Sequence, residues 1–313
     1  MTDVPNRPVT IVTWHYVRDG APGELHARTV AEFDSQLDHI AGNFTPVTLD
    51  QIRDHLRHGK TSLPENACLL TFDDGYRDHH DTVFPRLAAR GWQGVFFAPT
   101  RSAGDRQVLD VNRIQFAIAA VGIDQVVRET RAEIDNARDE FDLPDSGTLY
   151  DTLAVAGLHN PPEAMFVKRA LQTALPEALR TRICQALFER HVSADEADFA
   201  AMLYAGSDEL REMHDGGMAI GGHGWRHQRM SELAPGDRRT ELERSRAFLE
   251  SLGIDTTDGW SFCYPYGAHD TDTVRAARDA GCDLAFTLEP RIADLAVDDP
   301  CALPRLDTND LPR

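Results

Sequence analysis

The sequence lacks any long apolar run. Its longest apolar stretch, Phe116 to Ile123, is followed by Asp124 and is far shorter than the ~20 residues of a membrane-spanning helix. The start of the chain, Met1 to Pro8, is polar and contains two prolines, which is not the pattern of a secretory leader. We therefore expect a cytoplasmic protein that makes no stable insertion into a membrane.

Basic residues are also scarce. The 313 residues include 32 Lys or Arg and 51 Asp or Glu, which gives a formal net charge of -19 at pH 7. Such a charge repels phosphate backbones, and nucleic-acid binding would need a concentrated basic stripe. The arginine-rich stretch is instead interleaved with glutamates, as on a solvated helix: Arg238, Arg239, Glu241, Glu243, Arg244 and Arg246. We expect no nucleic-acid partner.

Cysteine pairs are absent as well. The five cysteines are scattered and form no CxxC motif: Cys68, Cys184, Cys263, Cys282 and Cys301. This spacing excludes a zinc ribbon and a CxxC redox motif. Unpaired thiols fit a reducing compartment, in agreement with the cytoplasmic expectation.

Short apolar runs alternate with helical patterns in both end regions of the chain. The predicted strands are Val9 to Trp14, Cys68 to Phe72, Val95 to Ala98, Met218 to Ile220, Ser261 to Tyr264 and Leu284 to Thr287. In the middle, helical patterns are strongest at Ile114 to Ile134 and Glu163 to His191. We predict an α/β fold with parallel strands over residues 1–100 and 207–313, interrupted by a mostly helical insertion at 101–206.

Chemically reactive side chains follow the predicted strands. They are His15, Asp73 with Asp74, His223 with His227, and Tyr266. Active sites of α/β barrels and open sheets are built at the carboxyl ends of parallel strands. We therefore expect these side chains to meet in space.

Two of these groups have the composition of a catalytic metal site. His223 and His227 are four residues apart, a separation that brings two imidazoles to one centre when the backbone makes a helical turn. Two histidines and one carboxylate hold a divalent metal and leave positions open for water and substrate. The pair Asp73 and Asp74 can supply that carboxylate and a second one that acts as base.

Three segments resemble motifs of a known family. Thr71 to Gly75 (TFDDG), Gly222 to His227 (GHGWRH) and Phe262 to Gly267 (FCYPYG) look like the first three motifs of the polysaccharide deacetylases, carbohydrate esterase family 4, also called the NodB homology domain. The resemblance covers roughly residues 9–100 and 207–306. It implies a distorted (β/α) barrel of the polysaccharide deacetylase type, here with the helical insertion.

The resemblance also implies roles for individual residues. Asp73 matches the catalytic base, Asp74 the carboxylate ligand, and His223 and His227 the histidine ligands of a divalent metal. The resemblance implies zinc as the first choice of metal, with nickel, cobalt or manganese as alternatives. Tyr266 matches the residue whose backbone N–H helps to hold the oxyanion. The implied reaction is hydrolysis of an N-acyl amide on an amino sugar.

The sequence departs from the family pattern at two positions. Cys263 replaces an arginine that orients the base in many members, and Arg305 follows Leu303 and Pro304 where a histidine normally protonates the leaving amine. We predict that Arg305 contacts the substrate or holds Asp73. The general acid stays unassigned among Asp73, His15 and His269, and the list of predicted substrate contacts is His15, Tyr16 and Arg305.

Three functions remain open from the sequence. The first is a metal-dependent hydrolase that removes an acetyl or formyl group from an amino sugar, carried by a nucleotide or lipid and destined for a surface glycan. The second is a metal-dependent hydrolase of a non-sugar amide or imide. The third is a non-catalytic carbohydrate-binding protein on a decayed barrel, and none of the three specifies an oligomeric state.

Overall fold

The computed structural model describes residues 8–22, 25–58, 63–157 and 161–312. The first seven residues, on which the interpretation of the N-terminus depends, lie outside that part. The described residues form two units. The first unit contains the described residues up to Gly20, those of Ala27–Gln107 and those from Ala200 to the C-terminus. The second unit contains the described residues of Ala21–His26 and Val108–Phe199.

The first unit is built on a mainly parallel sheet. Its strands are β1 (Pro8–Trp14), β2 (Thr45–Pro46), β3 (Ala67–Phe72), β4 (Gly94–Ala98), β5 (Ala219–Gly222), β6 (Trp260–Cys263), β7 (Cys282–Phe286), β8 (Ala293–Asp294) and β9 (Leu306–Asp307). The strand order is β7-β6-β5-β4-β3-β1-β8, with β2 beside β3 and β9 beside β1. All pairings except β1 with β8 are parallel.

The segment near the C-terminus joins the two sides of this sheet. Leu303 bridges to Phe286 of β7, and Leu306 pairs with Val12 of β1. Side chains of successive strand residues point to opposite faces, so the longer strands β1 and β3 to β7 each contribute to two cores. Ile11 and Phe97 belong to a cluster with residues of β6 and β7, whereas Val12 packs with the helices. The α/β barrel fold predicted from the sequence is confirmed.

Thirteen α-helices lie within the described residues. They are α1 (Val30–Asn43), α2 (Leu49–His58), α3 (Phe84–Arg90), α4 (Thr100–Ala103), α5 (Asp110–Val121), α6 (Ile123–Phe141), α7 (Ser146–Leu153), α8 (Pro162–Arg169), α9 (Glu177–His191), α10 (Glu196–Leu203), α11 (Ser207–Asp215), α12 (Pro235–Ser251) and α13 (Thr271–Asp279). A capping box between Thr29 and Glu32 starts α1. Within the described part of the chain, no helix is long and apolar enough to cross a bilayer.

Helices α5 to α9 and their own apolar core make up most of the second unit. The helical stretch at Ile114 to Ile134 forms two helices, because Gly122, with φ 79°, separates α5 from α6. The stretch from Glu163 to His191 is likewise divided. A π-helical turn at Ala170–Ala174 and then Pro176 come between α8 and α9, since proline disrupts a continuing helix.

One test of the packing concerns Gly221 in β5. A Cβ atom there would lie 2.6 Å from the Phe97 ring and 2.6 Å from Ser261 Oγ. We expect Gly221→Ala to lower the free energy of unfolding by about 1–3 kcal/mol, because β5 is fixed between β4 and β6. Urea denaturation measures this change. Gly42→Ala in α1 is the control, since its Cβ meets nothing within 4 Å and alanine favours a helix. Equal midpoints for the two variants would contradict the close packing at β5.

Candidate active site

The predicted ligand residues meet at the carboxyl edge of the sheet. Asp73 and Asp74 follow β3, and His223 and His227 follow β5. The Asp74 Oδ1 atom lies 3.4 Å from His223 Nε2 and 3.2 Å from His227 Nε2. The two Nε2 atoms are 3.2 Å apart. Three possible ligand atoms therefore form a nearly equilateral triangle, and all three residues are buried.

The chemistry of this triangle fits a divalent metal. Zinc bonds of about 2.0–2.1 Å in a tetrahedral arrangement place ligand atoms about 3.3–3.4 Å apart, close to the distances here. The ring Nδ1 of His223 lies 2.8 Å from the Cys263 carbonyl oxygen and donates to it, which leaves Nε2 with a free lone pair. The buried Nδ1 of His227 has no hydrogen-bond partner among the described residues. A cation at the triangle explains why several Lewis bases face one another.

The loop between the two histidines is held by a buried carboxylate. Glu241 of α12 is fully buried, and its Oε2 accepts the backbone N–H groups of Trp225 and Arg226 at 2.7 and 2.8 Å. Its Oε1 accepts from Arg226 Nε at 2.9 Å. On the other side, the N–H of Thr100 donates to the Gly224 carbonyl at 3.0 Å. The direction of both imidazoles is therefore fixed by the surrounding protein.

Asp74 is supported by two stacked tyrosines. The Tyr76 hydroxyl donates to Asp74 Oδ2 at 2.8 Å, so one carboxylate oxygen is oriented by protein while the other faces the histidines. Burial alone raises the pKa of Asp74, but hydrogen bonds with His223 and His227 outweigh it and hold the pKa well below its usual range. Tyr16 stacks on Tyr76 with ring centroids 3.9 Å apart and is almost fully buried. Tyr16 therefore packs against the residue that orients Asp74, and its side chain presents little surface to a substrate.

Asp73 faces Arg305 in a buried, bidentate ion pair. Arg305 Nη1 donates to Oδ1 at 2.9 Å, and Nη2 donates to Oδ2 at 2.6 Å. The other donors of the guanidinium are bound to protein as well: Thr13 Oγ1, Thr71 Oγ1, Thr287 O and Cys263 Sγ. Arg305 thus holds Asp73, the second of the two roles predicted for it, and has no exposed surface for the substrate contact.

This ion pair determines the charge of Asp73. Burial alone raises the pKa of the carboxyl group, but the charge and the hydrogen bonds of Arg305 outweigh that effect. The pKa of Asp73 is therefore held well below its usual range, and the group is ionised at neutral pH. Asp73 lies outside the triangle of Asp74, His223 and His227. With His223 and Cys263 it forms a second group of close possible ligand atoms, but both of its carboxylate oxygens already accept hydrogen bonds from Arg305.

Cys263 connects Asp73 with the histidine ligands. Its carbonyl accepts from His223 Nδ1, and its thiol lies 3.5 Å from Asp73 Oδ2 and 2.9 Å from Arg305 Nη2. Sequence reasoning treated Cys263 only as a missing arginine. The positioning roles of Cys263, Tyr76 and Glu241 were missed, and the adjacency of Tyr76 to the TFDDG motif was the one available signal.

Tyr266 and His15 border the same site. The Tyr266 ring lies 4.7 Å from the His227 ring, centroid to centroid, and its φ of 59° is in the left-handed region. His15 is half-buried, its carbonyl is bound by His79 Nε2 at 2.8 Å, and its ring influences the pKa values of both Asp73 and Asp74. His269 has Nδ1 2.9 Å from the Gly267 carbonyl and Nε2 3.8 Å from Glu289.

Removal of Arg305 tests the buried ion pair. We expect Arg305→Met to lower the free energy of unfolding by about 3–5 kcal/mol, because it leaves the Asp73 carboxylate buried and unpaired. Surface replacement Arg239→Met is the control and should change stability by less than about 0.5 kcal/mol. Urea denaturation measures both.

The difference in unfolding free energy between the unchanged protein and Arg305→Met should depend on pH with a definite sign. The pKa of Asp73 is lower in the folded than in the unfolded protein, where it is about 3.9. The Asp73–Arg305 ion pair therefore stabilises the folded protein fully at pH values above about 3.9, and this stabilisation is lost as the pH falls below that value. In Arg305→Met, burial alone raises the pKa of Asp73, and the variant gains stability as Asp73 takes up a proton. The difference between the two proteins should therefore shrink from pH 7 towards pH 4. A constant difference would contradict the assigned charge of Asp73.

Sequence comparisons match part of this chain. The model of the family described as polysaccharide deacetylase matches residues 174–285, which include His223 and His227. Two curated relatives are poly-beta-1,6-N-acetyl-D-glucosamine N-deacetylases of Escherichia coli, from strains K12 and O157:H7. Each is 37% identical over 110 residues, and this match spans 33% of the chain and 16% of the relative's length.

Comparisons of structure extend over most of the chain. IcaB from Ammonifex degensii has a TM-score of 0.58 at 19% identity, covering 96% of this chain and 92% of IcaB. The Streptococcus pyogenes deacetylase PplD, solved with acetate, has a TM-score of 0.56 at 14% identity, with the same coverage of 96% and 92%. At these identities the likeness shows the fold. The resemblance to the polysaccharide deacetylases that the motifs indicate is confirmed.

Proposed function

We propose that this protein is a metal-dependent hydrolase that removes an N-acyl group from an amino sugar. The observation that carries the proposal is the division of labour between neighbouring aspartates. Asp74 faces His223 and His227, whereas Asp73 is oriented by Arg305 and stays outside the ligand triangle. A metal site with an independent carboxylate beside it is suited to hydrolysis by water.

The residues of the site have distinct parts in this reaction. A divalent metal held by Asp74, His223 and His227 would supply a Lewis acid that activates water and polarises the amide carbonyl. Asp73 is ionised at neutral pH and accepts a proton from the attacking water. The C–N bond then breaks with transfer of a proton to the leaving amine from Asp73, His15 or His269. Arg305 keeps the carboxylate oriented and balances its charge. The backbone N–H of Tyr266 donates to the oxygen on which negative charge develops.

We further propose a cytoplasmic precursor as the substrate, an N-acyl amino sugar linked to a nucleotide or a lipid. The names of the curated relatives support an N-acetylated amino sugar as the substrate class. All five cysteines are free and buried, which fits a reducing compartment. The net charge of -19 gives the protein no electrostatic attraction to an anionic membrane surface.

The roles of the two aspartates are tested by a matched pair of substitutions. We expect Asp73→Asn to keep its metal and to lose activity by about 10²-fold or more, because an amide cannot accept the proton. Asp74→Asn and His227→Ala should lose metal as well as activity, since each removes one of three protein ligands. Metal analysis of the purified proteins with an assay of acetate release measures both properties. Equal metal loss at Asp73 and Asp74 would mean that their roles are exchanged.

The substrate class is tested by a panel of N-acyl compounds. Release of acetate or formate is measured with nucleotide-linked, lipid-linked and free amino sugars, a long N-acetylglucosamine polymer, and a non-sugar amide. We expect the highest kcat/KM for a linked monosaccharide. Cell fractionation accompanies the assay. Preferential turnover of the polymer by an exported protein would overturn the proposed precursor, and turnover of the non-sugar amide alone would overturn the proposed sugar.

A further inference from the structure

Arg229 lies at the edge of the candidate active site, two residues beyond the ligand His227. Its guanidinium carbon is 4.8 Å from the centroid of the Tyr266 ring, and the same ring is 4.7 Å from the ring of His227. A cation over the face of a tyrosine is attracted by the ring's quadrupole, which fixes its position without occupying its N–H donors. Arg229 is therefore separated from the metal ligands by a single aromatic ring.

Arg229 has a hydrogen-bond donor without a partner in the described part of the protein, unlike two other arginines near the site. Its Nε is buried and has no hydrogen-bond partner among the described residues. Glu232 Oε1, at 3.9 Å from Nε, forms an exposed ion pair with Arg229 that is too long for a hydrogen bond, and 31% of the Arg229 side chain is exposed. By contrast, Arg226 is bound to Glu241 and Arg305 to Asp73. A buried donor without a partner indicates a missing acceptor.

We propose that Arg229 binds a phosphate group of the substrate and thereby selects phosphate-linked amino sugars. This inference rests on the proposed function. A guanidinium offers a planar fork of donors that matches two phosphate oxygens. In a chain of net charge -19, an anionic substrate needs a local positive charge near the site. A phosphate on the sugar supplies both the missing acceptor and the negative charge, whether the carrier is a nucleotide or a lipid.

Ligand binding to the metal-loaded protein tests this proposal. The probes are N-acetylglucosamine 1-phosphate and, as the uncharged counterpart, methyl N-acetylglucosaminide, with affinities measured by titration calorimetry. We expect Arg229→Gln to weaken binding of the phosphate by about tenfold or more, since a charge-assisted hydrogen bond is lost, and to leave the methyl glycoside unchanged. Arg229→Lys keeps the charge without the fork and should fall between. Arg275→Gln, an exposed arginine of α13, is the charge-matched control and should leave both affinities unchanged.

Each outcome has a definite meaning. Equal weakening of both ligands by Arg229→Gln would show that Arg229 acts through the packing of Tyr266, and no effect on either would show that phosphate binds elsewhere. Both results overturn the proposal. Phosphate binding that depends on Arg229, in a protein that deacylates none of the sugars, would overturn the proposed function and leave the anion site intact. In an active protein, KM values for nucleotide-linked and lipid-linked N-acetylglucosamine show which carrier depends on Arg229.

Discussion

The ion pair between Asp73 and Arg305 is the interaction on which the site depends. It joins the end of β3 to the C-terminal segment across 232 residues of sequence. A buried ion pair loses the hydration of both charges, and it is tolerated only when the remaining donors find partners. Thr13, Thr71, Cys263 and Thr287 provide these partners from β1, β3, β6 and the segment after β7, respectively. Closure of the barrel and orientation of the Asp73 carboxylate are therefore achieved by the same contacts.

The ligand triangle could be predicted because its determinants are local. Alternating apolar patterns locate the strands, and Asp74, His223 and His227 follow strand ends within a few residues. The partner of Arg305 could not be fixed in this way, because nothing in the sequence near residue 305 identifies a carboxylate at residue 73. Tyr16 shows a different limit. The pattern of strands places Tyr16 after β1 and near the site, but the direction of its ring depends on stacking with Tyr76, which the pattern does not reveal.

Backbone conformation is a further contribution that sequence patterns do not reveal. Asp74, His227 and Tyr266 have φ values of 74°, 56° and 59°, in a region that non-glycine residues seldom occupy. Such conformations persist where surrounding contacts fix them, and they concentrate at functional sites. Each of the three residues lies two to five positions beyond the end of a strand. These strained backbone conformations occur where side chains from separate strands meet at one point.

The carboxylate of Glu241 has a consequence for the kinetics of metal exchange. Ordering a flexible loop opposes ion binding through lost conformational entropy, whereas the loop from Gly224 to Arg226 is already fastened to α12 and to Thr100. An ion that bound to the proposed site would meet a rigid chelate instead of assembling one. Its departure would be slowed for the same reason, because neither imidazole can turn away alone. Such a preset triangle would favour ions whose bond lengths match its size.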